Sequence, residues 1–160
     1  MRVRHSAATL KKSRPDRCLG RSRGGLNTKI HALTDECGLA VRFVITPSNT
    51  HDIRAAAELL FAVQPRQMIL RDKAYDANWL RDYVSERGSR PNIPPKSWRK
   101  SPICFSPWLY MKRNLVERVF NKLKYFRTIS TGYDKFGSTF YAMVQLARIR
   151  VRLSRYESTA

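Results

Sequence analysis

The order of elements readable in the sequence predicts a single α/β (α+β) domain, a mixed sheet with helices packed on it. Three observations carry that prediction. Two strand-like runs flank a short polar turn early in the chain. Helical apolar periodicities then alternate with brief uninterrupted apolar runs. The length, 160 residues of which 42% are apolar and 27% charged, suits one globular core and hardly two.

Residues 1–25 are basic and poorly patterned. Eight of the first 24 residues are Lys or Arg, and only Asp16 opposes them. The segment is expected to be poorly ordered. It closes on "GRSRGG", where glycines beside Arg21 and Arg23 would let a phosphate approach the backbone. A flexible loop accounts for the same residues equally well. The folded domain is expected over 26–155, with 156–160 as a tail. Asn27 to Leu33 and Leu39 to Thr46, joined through "TDECG", read as a hairpin turning at Gly38. After Pro47 a helix is predicted, with Thr50 as its cap, Asp52 in its first turn and Ile53, Ala57, Leu60 and Phe61 on its apolar face. Met68, Ile69 and Leu70 form an unbroken apolar run, which suits a strand buried on both faces. A second helix, Ala77 to Arg87, is capped by Asp76 and stopped at Gly88, with Trp79, Leu80, Tyr83 and Val84 on one side. "RPNIPP" reads as a short strand ended by Pro94 and Pro95. Ser106 before Pro107 begins a third helix. The last helix, Phe136 to Leu153, turns Phe140, Met143, Val144, Ala147 and Val151 inward.

Charge says most about partners. Lys and Arg number 31 against 12 Asp and Glu, a formal +19. Such an excess repels itself unless a polyanion neutralises it, and nucleic acid releases condensed counterions on doing so. A nucleic-acid partner is therefore expected ahead of a merely soluble basic protein. Cys18, Cys37 and Cys104 have neither zinc nor redox spacing and read as free thiols of a reducing cytosol. No apolar run is long enough to span a bilayer, the opening "MRVRHSAATLKK" lacks the apolar core of a secretory signal, and no membrane partner is expected.

Candidate chemistry starts on the third helix. In "YMKRNLVERVFNKLK", Tyr110, Arg113, Glu117 and Lys124 fall within an arc of about 60° at roughly 100° per residue. Val116, Phe120 and Leu123 would bury to one side, with Arg118 and Lys122 in solvent. A charge series at this spacing is usually a salt-bridged surface. Asp72 weighs against that reading. It directly follows an apolar strand, and ligand sites in open α/β sheets gather at the carboxyl ends of strands. Asp72 and Glu117 are two carboxylates in a chain poor in them. Hard oxygen ligands among excess cations suit Mg²⁺ shared with substrate phosphate. Two such ions about 4 Å apart would clamp the attacking and leaving oxygens of a phosphoryl displacement. Sites of that kind usually want three or more carboxylates, and these residues supply two. Lys96, Arg99 and Lys100 in the basic loop "KSWRKSPICF" are further candidates for DNA phosphate. Trp98 in that loop is the best stacking candidate of the three tryptophans, whereas Trp79 fits a helix core better. His5 and His31 read as structural or surface residues.

The spacing Y-x2-R-x3-E-x6-K from Tyr110 to Lys124 resembles the signature of bacterial insertion-sequence DDE transposases. "ILRDKAYDA" resembles their second-aspartate motif, usually D-K-G-Y-D. "GRSRGGLNTKIHAL" and "SNTHDI" are similar to other segments of that family, in the family's order, from Arg4 to Leu153. The resemblance implies a ribonuclease-H-like mixed sheet flanked by helices, with Asp72 as second and Glu117 as third ligand of Mg²⁺ or Mn²⁺. It implies that Arg113 and Lys124 contact DNA phosphate near the scissile bond and that Tyr110 positions the strand. It further implies hydrolysis at the element's ends, attack of the freed 3′-hydroxyl on target DNA, and no covalent enzyme intermediate. The implied partner is double-stranded DNA, as terminal repeats and as target, with self-association in the active complex. The implied location is cytoplasmic and nucleoid-associated in a bacterium. His51 in "NTHD" matches a family position at a helix start, where it would cap or orient a neighbour.

The chain departs from the family's pattern twice. Ala74 stands where glycine is usual, at little cost unless that backbone needs positive φ. The family's first catalytic aspartate lies on a strand just before a segment like "RVRHSAA", with which this chain opens. Asp16 falls in the basic segment and Asp35 in the hairpin turn, so neither replaces it. That strand is the central one of the implied sheet, and its loss is expected to bare the edges of its neighbours. The chain then reads as a truncated remnant or the downstream frame of a frameshifted transposase, inactive alone, with a two-metal site only when the first aspartate is supplied. The alternative is a basic DNA- or RNA-binding protein without chemistry. A third reading, a non-transposing nuclease of the same fold, is disfavoured by the full helix signature and the arginine-rich segment.

Overall fold

The computed structural model describes residues 1–4, 20–22, 25–101, 103–131 and 136–157. The first sheet is organised by a ten-residue strand, β3 (Gly25–Thr34), along which β4 (Ala40–Pro47) returns antiparallel. Asp35 builds the turn between them. Its Oδ1 accepts the backbone N–H of Cys37 at 3.0 Å and of Leu39 at 2.8 Å, while Gly38 takes φ +72°. A Cβ disfavours that conformation, so the predicted hairpin forms where the glycine is.

β1 (Arg2–Arg4) pairs with Asn27–Lys29, and β2 (Gly20–Ser22) pairs with Gly25–Asn27. The start of the chain, expected to be poorly ordered, thus contributes two strands. β3 extends beyond the end of β4, and the backbone groups left over there take β2 as their partner. Residues 5–19 and 23–24 lie outside the described residues.

A 3-10 turn, Asp52–Ala55, precedes α1 (Ala56–Leu60). Thr50 is not its cap. His51 holds the N-cap position without a side-chain bond, and the Thr50 carbonyl accepts Lys29 Nζ at 2.6 Å instead. Ala56, Leu59 and Leu60 face inward, while Phe61 is 71% exposed because the 3-10 turn shifts the helix phase. Next comes β5 (Met68–Leu70), then α2 (Asn78–Glu86), which crosses over to β6 (Arg90–Asn92), parallel to β5. Met68 is 44% exposed, so β5 is not buried on both faces as expected; its first side chain lies on an open cleft. Gly88 ends α2 with φ +68°, as predicted. Trp79 lies on the outer side of α2, 45% exposed, rather than in its core.

Asp76 does not cap α2. Its carboxylate is enclosed, with Oδ1 accepting from Arg81 Nε at 2.8 Å and Oδ2 from Arg99 Nε at 2.6 Å and the Lys96 amide at 2.8 Å. Charge-assisted bonds of this kind are stronger than a cap. Burial alone would push the Asp76 carboxyl up, but these three donors hold it far below the usual carboxylate range.

Ser106 caps α3 (Pro107–Tyr110) by accepting the Leu109 amide. A 3-10 turn at Met111–Arg113 separates α3 from α4 (Asn114–Lys124), so the predicted third helix is interrupted. Three residues at 3.0 rather than 3.6 per turn advance the phase by about 60°. The residues of α4 that bury are accordingly Val119 and Leu123, with Val116 and Phe120 only half-buried. α5 (Arg127–Thr131) and α6 (Gly137–Glu157) complete the chain. Phe140, Val144 and Ala147 of α6 close a core with Ile30, Phe43, Val119, Leu123 and Ile129. A second core joins Leu60, Ile69, Leu80, Val84 and Ile93. Each core anchors one wall of a cleft: the first holds α4, the second β5.

Across that cleft β3 and β5 do not pair. Ile30 exchanges both backbone bonds with Met1, at 2.7 and 2.9 Å. By the two-residue period, Ala32 turns its N–H and C=O the same way, where no strand lies among the described residues. Among the described residues β5 is paired along its β6 edge alone. Cavities of about 330 and 560 Å³ fill the gap, sharing Ala32, Leu70, Arg71, Arg113 and Val116 as walls. Cys37 and Cys104 are free and exposed, and Cys18 lies outside the described residues. Among the described residues no helix is long and apolar enough to cross a membrane.

Candidate metal and DNA site

Asp72 lies two residues past the end of β5, with Arg71 between them. Its backbone carbonyl accepts the Tyr75 amide at 2.9 Å and starts a 3-10 turn, Lys73–Tyr75, leaving the side chain free of capping duty. Ala74 stands in that turn, and the only described non-glycine residue with positive φ is Arg66, so alanine in place of glycine costs nothing here.

Three of the four signature residues on the opposite wall reach Asp72 or each other. The Tyr110 hydroxyl donates to Asp72 Oδ1 at 2.9 Å. Arg113 places Nε 3.1 Å from Asp72 Oδ1 and donates from Nη1 to Oδ2 at 3.4 Å. Its Nη2 lies 2.9 Å from Glu117 Oε1, one helical turn on. A single guanidinium therefore spans both carboxylates, with the 3-10 turn at Met111–Arg113 setting the approach. Burial pushes the Tyr110 phenol up, and its bond to Asp72 adds to that, so it remains a donor.

The remaining predicted contacts are spread more widely. Lys124 is exposed at the far end of α4, about 10 Å along the axis from Glu117, where it donates to Asn121 Oδ1 at 3.3 Å. Arg99, expected on DNA phosphate, is engaged with Asp76 and is largely buried. Its guanidinium and the Lys96 ammonium flank the exposed Trp98 ring at 5.9 and 5.6 Å. Lys100 is exposed. Arg23 and the side chain of Arg21 lie outside the described residues.

The sequence reading missed two groups on the cleft. Arg71 precedes Asp72, and its Nη2 is fully buried with no hydrogen-bond partner among the described residues. Its guanidinium sits 5.3 Å from the centre of the Tyr75 ring. Buried polar groups are nearly always satisfied, so this one marks an incomplete environment. An arginine closing an apolar run was the available signal. Asp52, read only as a helix-start residue, lines the smaller cavity and pairs with Lys29 at 2.8 Å. Burial pushes its carboxyl up, but Lys29 outweighs that and holds it below the ordinary value.

Two carboxylates converging on one cation fit a hard divalent ion, which takes its remaining ligands from water and substrate phosphate. Among the described residues no group of three or more His, Cys, Asp or Glu converges on a common point.

His31 also lines this cavity, 7% exposed, with Nε2 2.8 Å from Thr46 Oγ1. Burial, reinforced by the Met1 and Lys29 ammonium groups and Arg71 against the opposing pull of Asp52, pushes its pKa down to about 4. The unfolded chain binds a proton there below about 6.5 and the folded chain does not until lower pH. Stability is therefore expected to rise with pH between those two values, by up to about 3 kcal/mol. Urea midpoints across that window check this, and His31→Gln is expected to flatten the profile.

A family model described as "Transposase DDE domain" matches residues 1–151. A protein of Brucella ovis, named for the transposase of insertion sequence element IS6501, is 31% identical over 132 residues, covering 76% of this chain and 95% of its own length. No solved structure gives a significant match.

Proposed function

The chain belongs to the DDE-domain transposase family, and on that premise we propose that it forms the Asp72- and Glu117-bearing part of an enzyme that cuts DNA at insertion-sequence ends and joins the cut strand to target DNA. The observation that carries this is the meeting of Asp72 and Glu117 on the Arg113 guanidinium.

Asp72 and Glu117 would hold Mg²⁺ or Mn²⁺. When bound, such an ion withdraws charge from the phosphoryl group under attack and lowers the pKa of water. Tyr110 holds Asp72 in orientation through its hydroxyl. Arg113, whose fork matches phosphate oxygens two at a time, takes the DNA backbone near the scissile bond. Lys124 meets the same strand further along. Lys96, Lys100, Arg21 and Arg23 add to the +19 that draws in double-stranded DNA. Self-association in the active complex and a nucleoid-associated, cytoplasmic location go with this reading.

The third carboxylate is proposed to come from an upstream strand lying between β3 and β5. Among the described residues the side of β3 at Ala32 is unpaired, β5 is paired on one side, and Arg71 Nη2 has no hydrogen-bond partner; with the cavities between the strands, these support it. Without that strand the chain is expected to be inactive or nearly so. The test incubates terminal-repeat DNA and Mg²⁺ with the chain alone and with the chain extended by the residues encoded upstream. Cleavage by the extended form only is the expected result. Cleavage by the short form, lost in Asp72→Asn, would overturn the need for the strand, and cleavage by neither would favour a binding protein without chemistry.

A further inference from the structure

Resting on the reading of Asp72 and Glu117 as metal ligands, we infer that Arg113 couples metal binding to DNA binding: its guanidinium is the resident cation of the site and leaves when a DNA phosphate draws it off. Both oxygens of Asp72 are engaged, Oδ1 by Tyr110 Oη and Arg113 Nε, Oδ2 by Arg113 Nη1. Glu117 Oε1 is held by Nη2 of the same group. A divalent ion needs these same oxygen lone pairs. It would also sit within a few ångströms of a fixed positive charge, which repels it. Guanidinium and metal ion therefore exclude each other.

A phosphate reverses the balance. It offers the guanidinium the same bidentate geometry as a carboxylate. Arg113 is about one-third exposed and so can be reached from solvent. Its ion pairs are partly solvated and correspondingly weak, so the exchange costs little. The Tyr110 ring, 5.7 Å from the guanidinium carbon, offers a surface along which it can turn away. Once Arg113 has left, two uncompensated carboxylates face the cleft, and their cation affinity rises. Linkage is reciprocal: whatever DNA does for the metal, the metal does for DNA. A site of this design stays closed to divalent ions until its substrate arrives.

The test measures Mn²⁺ affinity from the electron-spin resonance of free Mn²⁺, for the wild-type chain, Arg113→Gln, Arg113→Lys and each of these carrying Asp72→Asn. A 20-base-pair duplex is present or absent, with duplex-only samples subtracted. Without DNA, Arg113→Gln is expected to bind Mn²⁺ about tenfold tighter than wild type, within the usual range of coupling between sites. Arg113→Lys, a point charge without a fork, should fall between the two. Adding duplex should tighten binding in wild type and leave Arg113→Gln unchanged. If Arg113→Gln binds Mn²⁺ no more tightly than wild type while Asp72→Asn still weakens it, Arg113 only orients the carboxylates; the coupling is then wrong and the metal site stands. If Asp72→Asn changes Mn²⁺ binding in none of the samples, the metal site and the coupling fall together.

Discussion

Replacing Asp76 with alanine is expected to destabilise the protein by about 3–5 kcal/mol, the loss typical of a buried charge deprived of its partner. The Asp76 side chain is fully enclosed, and its two oxygens serve Arg81, Arg99 and the Lys96 amide. Its removal leaves two largely buried guanidinium groups without a counter-charge. Arg81 would retain its bond to the Ile93 carbonyl, 2.7 Å away, but Arg99 would lose the carboxylate to which its Nε donates. Because the carboxyl is held well below its unfolded value, this contribution is present above about pH 4 and is lost as the pH falls below it. Urea denaturation measures the effect, and Asp76→Asn, which retains an acceptor, should lose less. A loss under about 1 kcal/mol would mean that the network is solvated and unimportant. The consequence reaches the cleft, since Asp76 ends the same short turn that Asp72 begins.

In whichever form of the chain cleaves terminal-repeat DNA, Asp72→Asn or Glu117→Gln is expected to reduce cleavage by about a thousandfold or more. A metal ion contributes several kcal/mol of charge stabilisation at a phosphoryl group, and each 1.4 kcal/mol or so is tenfold in rate. Folding should be almost unaffected, because both carboxylates are about half exposed and their ion pairs are screened. DNA affinity should be unchanged or raised, since each substitution removes a negative charge from a surface that meets phosphate. Gel assays of cleavage and anisotropy of labelled duplex separate the two effects. Equal loss of cleavage and of binding would point to a damaged DNA surface instead.

The pairing of Asp72 with the signature helix was legible because both lie in short local patterns: an acid just past an apolar run, and a helix with polar residues at three- and four-residue spacing. The hairpin was legible through Gly38, and the start of α3 through Ser106 and Pro107. What escaped depended on distant partners. Asp76 looked like a cap because nothing local announces that Arg81 and Arg99 will close over it. Thr50 reads as a cap because nothing local shows that the 3-10 turn begins one residue later, with His51 at the N-cap position. The 3-10 turn at Met111–Arg113 has no strong breaker to signal it, so the buried face of α4 was placed one phase step away from Val119. Nothing local distinguishes Arg71 from a surface arginine. Only the folded chain shows its guanidinium turned into the gap between β3 and β5.

The most direct test is the position of Mn²⁺, by anomalous scattering, in crystals of the cleavage-competent form bound to cleaved terminal-repeat DNA. A peak is expected about 2.1 Å from carboxylate oxygens of both Asp72 and Glu117, with Arg113 on a phosphate. A peak that touches neither residue, or carboxylates still bridged by Arg113 beside bound DNA, would contradict it.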